Sequence, residues 1–173
     1  MPKKILLLVL PILVSCQAIE EADKKIELEY FPPVGSVWVL EKKVVAPNRT
    51  VHLMIIDGKV HDSFLRWNSY KTACSLDFKT MTSDKKEVKP ARFVITKVDT
   101  EEQTINSTTG NFITIMHVTS TDNSYIESIT CQSWNSYSST PYVTVESMIK
   151  ATKGIMSLEI KQLGNDNKIK TEK

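Results

Sequence analysis

Residues 112–131 read FITIMHVTSTDNSYIESITC. Two runs rich in β-branched and aromatic side chains, 112–118 and 125–131, flank Thr121-Asp122-Asn123. β-Branched residues are stiff about χ1 and pack well on a pleated surface, whereas Asp and Asn hydrogen-bond their own backbone in turns. The stretch predicts two antiparallel strands joined by a short connection.

The same pattern repeats outward in both directions. Upstream, FVITKV at 93–98 is a strand introduced by Pro90, and CSLDFK at 74–79 alternates Cys74, Leu76 and Phe78 on one side. TVHLMII at 50–56 is another strand, closed by Asp57-Gly58, a pair that favours a tight hairpin because both central positions need positive φ. SVWVLEKKVV at 36–45 reads as one β-rich run before the turn Ala46-Pro47-Asn48, and 59–63 returns from the hairpin. The segments 80–86 and 100–110 are polar and predict connections, the second with a hairpin through Thr109-Gly110. Downstream, Val145, Met148 and Ile149 have helical spacing, with Thr140-Pro141 or Thr144 to start the turn and Gly154 to cap it. Residues 155–160 predict a last strand. The expected fold is mainly β, an antiparallel sandwich or partly open barrel with one C-terminal helix.

The other end of the chain has a different character. Lys3 and Lys4 precede an apolar run over residues 5–14 that is interrupted by Pro11 and too short for a permanent membrane span. Leu13-Val14-Ser15-Cys16 follows and resembles the bacterial lipobox, in which the cysteine receives a diacylglycerol thioether and the signal is cut before it. Each buried acyl CH₂ contributes roughly 0.8 kcal/mol, so two or three chains anchor where one is marginal. An ordinary signal cut after Ala18 is the alternative, since Cys16 and Ala18 are both small. The expected organisation is a signal peptide at 1–15, a lipidated N-terminus and charged tether at 16–34, a β-rich envelope domain at 35–160 and a polar tail at 161–173. Gln17, where a retention aspartate stands in some inner-membrane lipoproteins, favours the outer membrane.

Without Lys3 and Lys4 the 22 basic residues become 20, equal to the 20 acidic ones. A neutral mature chain offers no basic field for nucleic acid or for an anionic lipid surface. Once Cys16 is lipidated, Cys74 and Cys131 are the pair left to form a disulfide in an oxidising compartment.

Catalytic and metal motifs are absent from the sequence. His52, His61 and His117 carry no HExxH spacing, and His61-Asp62-Ser63 are neighbours whose side chains diverge along a strand. Asp77, Asp84, Asp99, Asp122 and Glu127 are scattered, without the spaced acidic loop of a calcium site. No catalytic residue, metal or cofactor is expected beyond the lipid on Cys16. The aromatics are more informative. The tetrapeptide WNSY occurs at 67–70 and at 134–137, each beside a cysteine. Trp67, Tyr70, Trp134, Tyr137 and Tyr142 sit in Ser/Asn-rich surroundings, a mixture of rigid contact area and adaptable hydrogen bonding that suits a recognition surface. Partly buried tryptophan lids over the core are the alternative.

Several of these segments together resemble an uncharacterised group of proteobacterial lipoproteins. The resemblance rests on Gly35-Ser36, Ala46-Pro47-Asn48-Arg49, Ile56-Asp57-Gly58, Tyr70 and Cys74, then KPARFVITKV at 89–98, Ile129-Thr130-Cys131 and the helix at 145–154. Ile56 departs from the glutamine frequent in that group before the Asp-Gly pair. What the resemblance implies is a disulfide-bridged envelope domain, with no activity attached. The leading expectation is a non-enzymatic envelope lipoprotein that docks on a protein partner. A small-ligand or glycan-binding module comes second and requires a pocket between sheet and helix. A hydrolase comes third.

Overall fold

The computed structural model describes residues 29–61, 70–139 and 142–161. Its elements, in order, are β1 (Val37–Leu40), β2 (Val44–Ala46), β3 (His52–Ile56), β4 (Lys59–His61), β5 (Ala73–Phe78), β6 (Lys86–Val88), β7 (Ala91–Asn106), β8 (Thr109–Thr119), β9 (Ile126–Ser136), α1 (Val145–Thr152) and β10 (Met156–Glu159). Eight strands form one antiparallel sheet in the order β10-β1-β7-β8-β9-β5-β3-β4, curled into a half-barrel, while β2 and β6 pair separately. The partly open barrel, with its helix near the C-terminus, is the architecture that forms.

Curling requires the long strands to bend. Thr96 and Ile105 on β7, and Glu127 on β9, are skipped by the ladder, and an extra residue of this kind bends a strand and increases its twist. The inner face then gathers Trp38, Leu40, Phe93, Ile95, Met116, Ile129, Leu76 and Leu53 into one core. Trp38 is fully buried and gives its indole N–H to the Met116 sulfur at 3.2 Å, so its one polar atom is satisfied. The β2–β6 ribbon adds Val44, Ala46 and Val88 to the same core, and α1 adds Met148 and Ala151.

The helix is held at both ends. Thr144 caps it by accepting the Ser147 backbone N–H at 3.1 Å. Asp57 and Gly58 take φ of 48° and 70°, the two left-handed positions of the tight hairpin between β3 and β4. That turn reaches the other end of α1, where the Gly58 N–H donates to the Ala151 carbonyl at 2.8 Å. A Cβ on Gly58 would lie 2.2 Å from the Lys153 carbonyl oxygen. Only glycine allows this approach.

Several segments differ from the sequence expectation, among them β6, which forms at the end of the expected connection 80–86, and β9, which runs on past 131 to Ser136. Residues 36–45 do not make one strand: β1 and β2 belong to different sheets. Residues 100–106 are strand rather than connection, and the β7–β8 turn falls at Ser107-Thr108. β1 covers β7 only as far as Val94, so the distal part of β7 is exposed and carries polar residues. Its strand identity comes from the ladder with β8, which hydrophobic periodicity does not report.

Cys74 lies directly opposite Cys131 across β5 and β9, with Cα atoms 4.0 Å apart, and the two are disulfide-bonded. Closing a loop over a sequence separation of 57 restricts the unfolded chain. Replacing both cysteines with alanine is expected to lower stability by about 4 kcal/mol, measured by urea unfolding. Gly58→Ala is expected to cost about 2–4 kcal/mol, because the left-handed turn and the helix contact fail together. A neutral result in thermal melts would refute that contact.

Candidate functional site

The inner face changes character along β8 and β9. The row Met116–Ile129–Leu76–Leu53 is apolar, and the next row contains Thr114, Cys131, Cys74 and Ile55. Beyond the disulfide the same face presents Ser133 and Asn135 on β9, with the buried Phe112 opposite Ser133 on β8. A cavity of about 250 Å³ opens there. Tyr70 and Thr72, which lead into β5, form one wall, and Ser133, Asn135 and Ser139 form the floor and far side. Tyr142, Thr144 and Ser147, at the start of α1, close it from above. The disulfide thus marks where the dry core ends and a polar cleft between sheet and helix begins.

The hydrogen bonding of this cleft is partly committed. Ser147 donates its hydroxyl to the Thr144 carbonyl at 2.7 Å, and Ser139 donates to the Ser136 carbonyl at 2.8 Å, which leaves both oxygens able to accept. Ser133, only 4% exposed, accepts a long 3.4 Å bond from the Asn135 amide. Among the described residues its own hydroxyl hydrogen has no acceptor, and Asn135 Oδ1 has no donor.

Of the aromatic residues singled out in the sequence, Trp67 and the lipidation candidate Cys16 lie outside the described residues. Tyr70 and Trp134 come together edge to face, ring centres 6.1 Å apart. This is the juxtaposition an antiparallel bridge between the two cysteine strands implies. Tyr142 borders the same cleft, and a second pair unmarked by any sequence signal, Tyr30 and Phe31, packs on it at 5.7 and 5.4 Å. Tyr137 stands apart, stacked edge-on against Phe112 at 6.0 Å and donating to Thr104 Oγ1 at 3.2 Å. The repeated tetrapeptide is therefore not a repeated role. Trp134 is half-buried on the outer face opposite Asn111, whose amide donates to Gln132 at 3.1 Å.

The outer face carries a cluster that sequence reasoning passed over. Asp77 is buried, and its carboxylate accepts from His52 Nδ1 at 2.8 Å, Ser75 at 2.6 Å, Ser128 at 2.9 Å and Thr130. Three strands supply these partners at directly opposed positions: His52 and Ser128 both face Asp77 across the ladder. Four acceptances satisfy a carboxylate that would otherwise be costly to desolvate. All three hydroxyls donate to the carboxylate rather than to the imidazole, so they do not form a nucleophile–base pair. Nearby, Asp99 accepts from His117 Nε2 at 3.0 Å and from Lys97 at 2.7 Å, and these bonds, lysine first, hold its pKa below the usual carboxylate range. No group of three metal-ligating side chains occurs among the described residues, and no helix there is long and apolar enough to cross a membrane.

The hydrogen bond to Asp77 raises the His52 pKa above 6.5, against the opposing effect of burial. Because the folded value lies above the unfolded one, protonated His52 stabilises the fold below about pH 6.5, and that contribution is lost as pH rises through the raised value. An NMR titration should place His52 above 6.5, and Asp77→Asn should bring it down. Asp77→Ala, which leaves His52 and the three hydroxyl donors without their acceptor, is expected to cost about 3 kcal/mol in chemical unfolding.

A scan against protein-family models, a search of curated proteins and a search of solved structures each found no match to this chain.

Proposed function

We propose that this protein is a non-enzymatic lipoprotein of the bacterial cell envelope, anchored by acylated Cys16, whose β domain is a binding module. Its recognition site is the polar cleft between the end of β9 and the start of α1. One observation carries the reading: the inner face is packed and apolar up to the Cys74–Cys131 bridge, then opens into a cavity bordered by Tyr70 and Tyr142. A concave site with convergent polar groups is the form small ligands require. A flat protein interface does not need one.

The lipobox-like Leu13-Val14-Ser15-Cys16 supports the anchor, the likeness to proteobacterial lipoproteins supports an envelope location, and Gln17 favours the outer membrane. The chain from Cys16 enters the domain at Tyr30 and Phe31, against Tyr142. At about 3.5 Å per residue, fourteen residues of tether span at most ~50 Å, which bounds the distance between cleft and membrane. A protein partner is the second reading, favoured by the contact of Trp134 with Tyr70, which is 66% exposed.

Cys16→Ala is expected to move the protein from the membrane pellet to the soluble fraction and to abolish labelling with radioactive palmitate. Retention of that variant in membranes after an alkaline wash would sink the lipid anchor.

A further inference from the structure

Resting on the binding-module reading, we infer that the cleft takes a neutral, polyhydroxylated ligand: a saccharide of one or two rings. Among the described residues, the side chains that line it are hydroxyls, a phenol pair and an amide, with no Lys, Arg, His, Asp or Glu. A charged ligand entering it would lose hydration without meeting a counter-charge. Lys71, next to Tyr70 in sequence, is paired with Asp57 rather than placed in the lining. An apolar ligand would leave the Ser133 hydroxyl hydrogen and Asn135 Oδ1 facing it without partners, at the cost of their desolvation. A molecule with many closely spaced groups that both donate and accept avoids both penalties.

The hydrogen-bond inventory fits that chemistry from both sides. Ser147 and Ser139 have given their protons to backbone carbonyls and present lone pairs. Asn135 Oδ1 is an acceptor, and the Ser133 hydroxyl is a donor from the buried floor. A sugar hydroxyl can donate to the first group and accept from the second. Tyr142 supplies a ring for the C–H face of a pyranose. Tyr30 and Phe31 fix its orientation before a ligand arrives, which reduces the side-chain entropy lost on binding. The volume of about 250 Å³ falls below the ~300–1,000 Å³ typical of sites for drug-sized ligands, which limits the occupant to a small one.

The test uses the intact lipoprotein in a polyoxyethylene detergent, since glycosidic detergents would compete. It is applied to an array of neutral and charged glycans, and hits are titrated by calorimetry. Binding should be confined to glycans with a neutral one- or two-ring terminus. Tyr142→Ala and Asn135→Ala should each weaken it about tenfold or more, while Tyr137→Ala, which lies outside the cleft, should leave it within about threefold. Thermal melts of each variant separate lost binding from lost folding. A silent array, or affinity unchanged by Tyr142→Ala and Asn135→Ala, overturns the saccharide assignment. A cavity-filling Asn135→Trp variant then separates the two readings, using the small-molecule fraction of envelope extract as probe. Loss of a retained charged or apolar compound in Asn135→Trp keeps the binding module and rejects only the ligand class. No cleft-dependent retention rejects both.

Discussion

The cross-strand bridge between Cys74 and Cys131 is the constraint on which the rest of the sheet depends. It locks β5 against β9 at one register, with the two residues directly opposed and their Cα atoms 4.0 Å apart. Side chains alternate between faces with a period of two, so a slip by one residue would send every inner residue outward. With the register pinned, Leu76 meets Ile129 inside, and Asp77 meets Ser128 outside. The buried core and the buried carboxylate are two consequences of one covalent choice. Neither strand is redundant: β5 carries β3 and β4 on its far side, and β9 carries the long β7–β8 hairpin.

The helix solves the remaining problem of a half-open barrel, which is to cover an apolar inner face without closing the sheet on itself. Its Met148 and Ala151 complete the core, while its N-terminal turn stays over the polar end of β9. The position is set from both ends, by the Thr144 cap and by the Gly58 turn against Ala151 and Lys153. The cleft is therefore a consequence of fold closure: helix and sheet diverge where the β9 positions of the inner face become polar, at Ser133 and Asn135. The same divergence places Tyr142 within reach of Tyr30 and Phe31, so the segment that enters the domain stacks on the cleft's border.

Much of the fold was legible because the signals are local. The Asp57-Gly58 turn, the β-branched runs around Phe93 and Phe112, and the helix beginning after Thr144 each follow from the conformational preferences of a few adjacent residues. The distal part of β7 was not legible, since its polar residues are exposed and only the ladder with β8 makes them a strand. For the site, the pairing of Tyr70 with Trp134 was approachable, because an antiparallel bridge fixes distances on either side of it. The separation of Tyr137 from that pair was not, since it depends on which face Tyr137 takes at the end of β9, over Gly110 and Phe112. The Asp77 cluster was invisible for a related reason: His52, Asp77, Ser128 and Thr130 are scattered along the chain and meet only across three strands.

By itself the sequence determined the class of fold, the cysteine pair and the neutrality of the chain after its first residues, because composition, periodicity and turn chemistry act over short distances. The tertiary structure decided which polar residues share a cavity and which are spent on one another. Ser133 and Ser128 illustrate the difference. Both are serines of β9, five residues apart and therefore on opposite faces of the strand. One donates to a buried carboxylate on the outer face, and the other lines an open cleft on the inner face. Alternation along the strand puts them on opposite faces, but only the partner elements decide that one face holds a carboxylate and the other a cleft.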